Sequence, residues 1–326
     1  MLKNKIPTLG FILPGTPIWS IGIFDVINNN NSLHLIPNKN NPVLKAEDIK
    51  DMKARYVADP FILFEQDTYF MFFEIYGTKM GCIGLATSKN GYEWEYKKIV
   101  INERFHLSYP QIIKYRDEVY MVPESSADNS VRLYKANSFP SEWQLNKILL
   151  QGHDFTDPTI FYYNSKWWML VTTNKDSELR LYYSNSLIEN WREHPQSPIG
   201  KDNMQNLRSA GSVIFLNNRL VRLTQDCSDS YGKSIKTFEI TNIDEKIYEE
   251  IERNHLISLN TMQEKWNRDG IHHLSLCKQN NEKCIACIDG KISSTSSFIL
   301  LGSHKIKLPN KVGTLLKFIQ SLISSS

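Results

Sequence analysis

The stretch VADPFILFEQDTYFMFFE, residues 57 to 74, decides the fold, because the chain writes it again about a hundred residues on as FTDPTIFYYNSKWWMLVTT, residues 155 to 173. Each copy sets Asp-Pro before an apolar run, follows it with a polar pair, and ends in an aromatic-rich run. A polar pair between two runs of β-branched and aromatic residues predicts a hairpin. Asp59 and Glu74 are equidistant from Gln66-Asp67, so an antiparallel pair turning there makes them face each other at its open end. The construction recurs. Tyr109 and Glu124 flank Arg116-Asp117, Asp157 and Thr172 flank Asn164-Ser165, Ala210 and Gln225 flank Asn217-Asn218, and His273 and Ile288 flank Asn280-Asn281.

The heads of these hairpins fall at 59, 109, 157, 210 and 273, a period of about 50 residues. A period of that size built from short strands is the mark of a β-propeller, in which each blade is one four-stranded sheet. The expectation is therefore an all-β, five-bladed propeller with four-stranded blades, occupying residues 1–308. The segments that follow the hairpins, such as GCIGLATSKNGYEWEYKKIVI and SVRLYKANSFPSEWQLNKILL, each supply a third strand, a turn and a fourth strand. Trp94, Trp143 and Trp191 stand near the start of three fourth strands, where a large ring packs blade on blade. PIWSIGIFDV (17–26) is expected to give a strand to the last blade and SSFILLGSHKIKL (296–308) the remaining ones, so that the two ends close the ring and leave no open sheet edge. In 309–326, Val312, Leu315, Leu316, Ile319, Leu322 and Ile323 fall at helical spacing. This predicts a short C-terminal amphipathic helix, docked on the propeller edge or turned to a partner protein or membrane surface.

Composition narrows the function class. With 41% hydrophobic and 22% charged residues the chain has the material for a core, and its net charge of +3 is too small for a nucleic-acid footprint. Five cysteines, an odd number, argue against a disulfide framework and for a reducing compartment. Cys284 and Cys287 form one CxxC with no second pair at zinc spacing, so buried apolar thiols are expected. Prolines interrupt the N-terminal apolar run, and no segment nears the ~18 apolar residues of a membrane span. The expected location is cytoplasmic, or peripheral at the inner face of a membrane. No GxGxxG, P-loop, GxSxG or HExxH occurs, so no cofactor is expected. No metal is expected either, because His272-His273 lacks a third spaced ligand in sequence and only ring partners could complete a set.

In a propeller the first strand of each blade lines the channel, so the heads form a ring on one face. Asp59, Tyr109, Asp157, Ala210 and His273 are its members; the facing second-strand positions add Glu74, Glu124, Thr172 and Gln225. Nearby stand His106, Ser108, Arg208, Ser209, Asp226 and His272. Carboxylates gathered at a narrow mouth repel one another and lose water, which is costly, so a functional reason is expected. Paired carboxylates suit sugar transfer, where one takes the attacking hydroxyl's proton and another steadies the leaving group. Histidine and arginine on the same rim suit a phosphate-bearing leaving group. The bland alternative is that an acid at a strand head merely caps a turn. The heads vary from blade to blade, which a purely structural role does not require.

The series ADPFI…MFFE, HLSYPQII…YMVPES, RLYKA…FPSEW, DPTI…WWML, LYYSNSLIENW, RSAGSVI…NRLVRLTQDCSDSYG and HHLSL resembles the N-terminal propeller domain of the glucosamine inositolphosphorylceramide transferase family, over about residues 18 to 290. More distantly it is similar to the five-bladed glycoside hydrolases of family 43. Those enzymes place an Asp at the head of the first blade, which Asp59 matches, and use a second Asp and a Glu, for which Asp157 and Glu124 stand nearest. The sequence departs from them in having Tyr109 where an acid could stand and in carrying Glu124 on a second strand. The resemblance implies a glycosyltransferase moving a sugar from a phosphate-activated donor, a nucleotide sugar or phosphoribosyl diphosphate, to a glycan or lipid-linked acceptor in surface-polysaccharide or glycolipid synthesis. Asp59 would then be base or oxocarbenium stabiliser, Asp157 would orient it, and Glu124 or Glu74 would position sugar hydroxyls. His106, Arg208 and His273 would meet the donor's phosphate, with Ser108, Tyr109, Gln225, Asp226 and His272 as further substrate contacts. A propeller glycoside hydrolase and a non-catalytic sugar-binding module are the alternative readings.

Overall fold

The apolar runs pair as antiparallel hairpins, and five of them lead five blades. The computed structural model describes residues 9–12, 16–29, 32–253, 255–259, 265–279, 283–293, 298–301 and 304–307. The first blade holds strands Tyr56–Glu65, Thr68–Tyr76, Gly81–Ser88 and Glu95–Ile101; the second holds Ser108–Tyr115, Glu118–Ser125, Ser130–Ser138 and Glu142–Gln151. In the third, Phe155–Tyr163, Lys166–Thr173 and Glu178–Ser184 are followed by two short pieces, Arg192–Glu193 and Gly200–Lys201, that both pair with the third strand. The fourth runs Ile214–Leu216, Arg219–Asp226, Ser234–Ile243 and Tyr248–Glu252.

Four hairpin turns sit on the polar pairs that the sequence centres them on. Gln66-Asp67, Arg116-Asp117, Asn164-Ser165 and Asn217-Asn218 all have positive φ at both residues, between 47° and 62°. That is the type I′ turn, whose twist matches the strands it joins. The fifth pair, Asn280-Asn281, lies outside the described residues.

The open ends of the hairpins differ from the symmetric expectation by one residue. Glu74 pairs with Ala58, Glu124 with Ser108, and Thr172 with Thr156, and the register shifts just after each pair. The heads Asp59, Tyr109 and Asp157 are therefore bulge residues, and their φ values of 51°, 46° and 49° lie in the left-handed region. A bulge inserts one unpaired residue and re-aims its side chain. Left-handed backbone at a non-glycine costs roughly 1 kcal/mol or more per site, and three blades accept it at the same place.

The fifth blade closes the ring with strands from both ends of the chain. Leu274–Lys278 pairs with Cys284–Ser293, which pairs with Pro17–Asn29, which pairs with Ser32–Pro37; Ile257–Leu259 adds a parallel fifth strand. The remaining strands thus come from 32–37 and 257–259. The stretch expected to supply them does otherwise: Phe298–Leu301 and His304–Lys307 form a separate three-stranded sheet with Leu9–Ile12. The last blade had already filled both flanks of Cys284–Ser293, so no pairing edge remained there. Residues 309–326, where a helix is expected, lie outside the described residues. No helix among the described residues is long and apolar enough to cross a membrane.

The core lies between blades. Trp143 of the second blade meets Phe72 of the first edge to face, ring centroids 5.4 Å apart. Trp94 packs on the buried cluster shared by the first and fifth blades, and Trp191 on that shared by the second and third. Cys287 is fully buried with its Sγ 4.0 Å from Met71 Sδ, and burial pushes its thiol well up, as expected of an apolar filler.

Candidate active site

The bulges aim the head side chains at one end of the channel, where they meet the ends of the second strands. Asp59, Glu74, Glu124, Asp157, His272 and His273 are all buried there, with His106 and Arg208 partly exposed above them. Two groups of contacts organise the site.

The first is built around Arg208. Its Nε donates to Asp157 Oδ2 at 2.7 Å, its outer nitrogen lies 3.9 Å from Glu124 Oε2, and the guanidinium sits 5.2 Å over the Tyr231 ring. Gln225 Nε2 also donates to Asp157 Oδ2, at 3.1 Å, while Ser126 Oγ donates to Glu124 Oε1. The loop carrying Arg208 is tied down on both sides of it. Thr172 Oγ1 donates to Leu207 O, and Gln225 N to Arg208 O. Burial pushes the Asp157 carboxyl up to about 6, with Arg208 pulling down and Glu124 adding repulsion.

The second joins the first and fifth blades. Asp59 Oδ2 accepts the Tyr109 N–H at 3.3 Å, and Asp59 N donates to Asp289 Oδ2 at 3.1 Å. Burial pushes the Asp59 carboxyl up to about 7 against the pull of His272, with Asp289 and Asp157 adding repulsion. Asp59, His272 and Asp289 bring one oxygen or nitrogen each within 4.8 Å of the others. Three backbone N–H groups close on Asp289, and His272 Nδ1 stands 2.6 Å from its Oδ2 as an ion pair without an aligned hydrogen bond.

Glu74 and His106 stand apart from both groups. Gly81 N donates to His106 Nδ1 at 2.8 Å, so the neutral ring carries its proton on Nε2, which faces Glu74 Oε1 at 3.6 Å. Burial, then Arg208, holds His106 below its ordinary value. Glu74 is held well above the usual carboxylate range by burial and then by the charges of Asp59, Glu124, Asp289 and Asp157. Burial thus favours the protonated form of Glu74 while Arg208 pulls Asp157 the other way, and unlike environments of this kind are how acid and base roles separate at one pH. A Cβ on Gly81 would stand 2.7 Å from Glu74 Oε1 and 2.6 Å from Leu107 O, so only glycine lets the carboxyl lie there.

Other residues expected at the site turn out to serve the scaffold. The Tyr109 phenol is fully buried, with its oxygen 2.8 Å from Thr159 Oγ1 and accepting Gly211 N–H at 2.9 Å, so it struts the second blade against the third and fourth. Asp226 Oδ1 caps its own turn through Ser228 N and Oγ. Ser108 is buried opposite Glu124 in the strand ladder. His273 is wholly buried between Phe61 and Tyr109, and burial pushes its ring down to about 3, so it meets a donor's phosphate neither by exposure nor by charge.

Sequence reasoning missed Asp289, Trp19 and Tyr231. Trp19 lies flat on His272, centroids 3.8 Å apart at 14°, and Tyr231 meets the same ring edge-on at 5.1 Å. Asp289 stands on the second strand of the last blade level with Glu74 and Glu124 on theirs, and that parallel was the available signal.

These charge states predict an unusual stability profile. Asp59, Asp157 and Glu74 have raised folded values, and so has His272, where Asp289 overcomes the opposing effect of burial. Such groups contribute stability that is fully present below their unfolded values and lost as pH rises through the folded ones. His106 and His273 are lowered and work the other way, but only below about 6.5, where an ordinary histidine protonates. The melting temperature is thus expected to fall by at least about 2 °C between pH 6 and pH 8, and less in Glu74→Gln. A rise over that interval would contradict the assignment.

Comparison with known proteins gives the family and the fold. Residues 15–291 match the family described as glucosamine inositolphosphorylceramide transferase 1, N-terminal. The protein named glucosamine inositolphosphorylceramide transferase 1 of Oryza sativa subsp. indica is 34% identical over 248 residues, covering 73% of this chain and 33% of the relative. That of Arabidopsis thaliana is 29% identical, covering 94% of this chain and 43% of the relative. The chain thus spans less than half the length of these curated relatives. Among solved structures, a thermostable family-43 glycoside hydrolase superposes with TM-score 0.53 at 14% identity, over 73% of this chain and 95% of that one. The α-L-arabinanase of Cellvibrio cellulosa does so with TM-score 0.52 at 14% identity, over 74% and 96%. At such identity the likeness is one of fold, and the fold is the five-bladed propeller.

Proposed function

The chain belongs to the family described as glucosamine inositolphosphorylceramide transferase 1, N-terminal, and from that membership we propose that it is a glycosyltransferase. It moves a sugar from a phosphate-activated donor onto a lipid-linked or glycan acceptor. The observation that carries the reading is the buried set of carboxyls, Asp59, Glu74, Glu124 and Asp157, gathered at one rim with Arg208 and His106 beside them.

In the step, the acceptor hydroxyl oxygen bonds the anomeric carbon and gives its proton to Asp59, while the bond from that carbon to the phosphate oxygen breaks with its electron pair. A base whose value lies near the working pH suits such a transfer. Asp157, fixed by Arg208 and Gln225, and Glu124 steady positive charge developing on the sugar ring. Arg208, about a quarter exposed, and the Nε2–H of His106 offer donors to phosphate oxygens. Asp59, Asp157 and Glu124 thus keep catalytic roles, Glu74, His106 and Arg208 bind substrate, and Gln225 acts through Asp157. The relatives' name speaks for an inositolphosphoryl lipid as acceptor, met at a membrane face.

A thermal-shift series tests this with nucleotide sugars, phosphoribosyl diphosphate and neutral oligosaccharides. At a ligand concentration a hundredfold above Kd, stabilisation of about 2.7 kcal/mol is expected with an activated donor. A shift with neutral oligosaccharides alone would sink the transferase reading in favour of a hydrolase or a sugar-binding module.

A further inference from the structure

We infer that Asp289 and His272 are positioning residues for Asp59: they form a carboxylate–imidazole–carboxylate chain, clamped by Trp19, that fixes the Asp59 carboxyl and sets its basicity. The catalytic part of this rests on the role proposed above for Asp59, but the chain itself can be tested without substrate.

The contacts on Asp289 are those of a hub. Its Oδ1 accepts the backbone N–H of His272 at 3.0 Å and of His273 at 2.9 Å; its Oδ2 accepts the Asp59 N–H at 3.1 Å and lies 2.6 Å from His272 Nδ1. The carboxylate is fully buried, and although burial opposes ionisation, His272 holds it below the usual range. Its grip on Asp59 falls on a backbone in the left-handed region, a conformation that persists only where surroundings over-determine it. One buried charge therefore holds the strained residue of the first blade from the fifth.

The same His272 Nδ1 stands 3.8 Å from Asp59 Oδ1. Facing the imidazole from the packed elements are Asp59, Asp289, the stacked Trp19 and the edge of Tyr231, with Arg208 close enough to oppose its charge. Lys291 lies 5.6 Å over the Trp19 ring. An imidazolium so placed favours the ionised form of Asp59, while the repulsion from Asp289 is answered by that imidazolium. The chain draws on three segments: Asp59 near the start of the first blade, Trp19 on the N-terminal strand, and His272 with Asp289 in the last blade. Closing the ring and completing the base are thus one event.

The test is an NMR titration of ligand-free, full-length protein carrying 13C-carboxyl aspartate and 15N-imidazole histidine, with Asp59 and His272 assigned by signal loss in Asp59→Asn and His272→Gln. In the parent, His272 is expected to stay protonated above the ordinary histidine range. In His272→Gln the Asp59 midpoint should rise by about one pH unit or more, and in Asp289→Asn the His272 midpoint should fall by a similar amount. An unmoved midpoint in a variant that retains its spectrum overturns the inference. Should neither variant fold, the parent titration decides, since a His272 midpoint at or below about 6.5 contradicts the chain. Loss of the transfer reading would leave these titrations untouched; where both hold, the acid limb of the pH–rate profile moves with the Asp59 midpoint, which a merely structural role would not shift.

Discussion

Asp59→Asn is expected to cut sugar transfer by about a thousandfold, within the range for a lost general base, and to leave the melting temperature near or above that of the parent. Asparagine keeps the shape of the side chain, and its carbonyl oxygen can still accept the Tyr109 N–H that Asp59 Oδ2 accepts. The main-chain bond from residue 59 to Asp289 is unaffected by the change. What disappears is a buried carboxyl whose ionisation the fold resists, so stability above pH 7 should if anything improve. Initial rates with donor and acceptor, measured beside a thermal melt, separate the two effects. Asp226→Asn is the control: that acid caps a turn and should cost little in rate. Full transfer activity in Asp59→Asn would remove this residue from the base role.

The repeat at 57–74 and 155–173 was enough to reach the propeller because turn chemistry and strand pattern are local. Polar pairs that tolerate positive φ mark four turns, and the aromatic runs beside them mark the strands. The site was less legible, for a reason of one residue. Symmetry about the turn sets Asp59 opposite Glu74, but the bulge inserts Asp59 as an extra residue, and nothing in Asp-Pro alone announces it. In the last blade Leu274 pairs with Ile288, so the residue level with Glu74 and Glu124 is Asp289 instead of Ile288. A slip of one turns an apolar position into the most contacted acid of the site. Trp19 was hidden differently: its partner His272 lies some 250 residues on, and only ring closure brings them together.

The site's geometry also depends on an ion pair between buried Arg222 and partly exposed Glu250, and removing its cation should produce the largest stability loss. Arg222 is 1% exposed, and its Nε and outer nitrogen hold Glu250 through both carboxylate oxygens at 2.8 and 2.6 Å. Tyr248 Oη donates to the same carboxylate. In Arg222→Met the carboxylate is left without its cation, a loss of about 3–5 kcal/mol, or roughly 10 °C in melting temperature. Adding Glu250→Leu should restore most of that stability, short of the ~1 kcal/mol from the lost acceptor of Tyr248. Transfer should not recover with it. The remaining Arg222 nitrogen donates at 2.8 Å to Asn206 O, in the loop that carries Arg208 to Asp157. Both the single and the double variant lose that tether, so both should show weakened transfer while only the single one melts early. Recovery of activity together with stability in the double variant would mean that the other ties on the loop, from Thr172, Thr224 and Gln225 among them, hold it without Arg222.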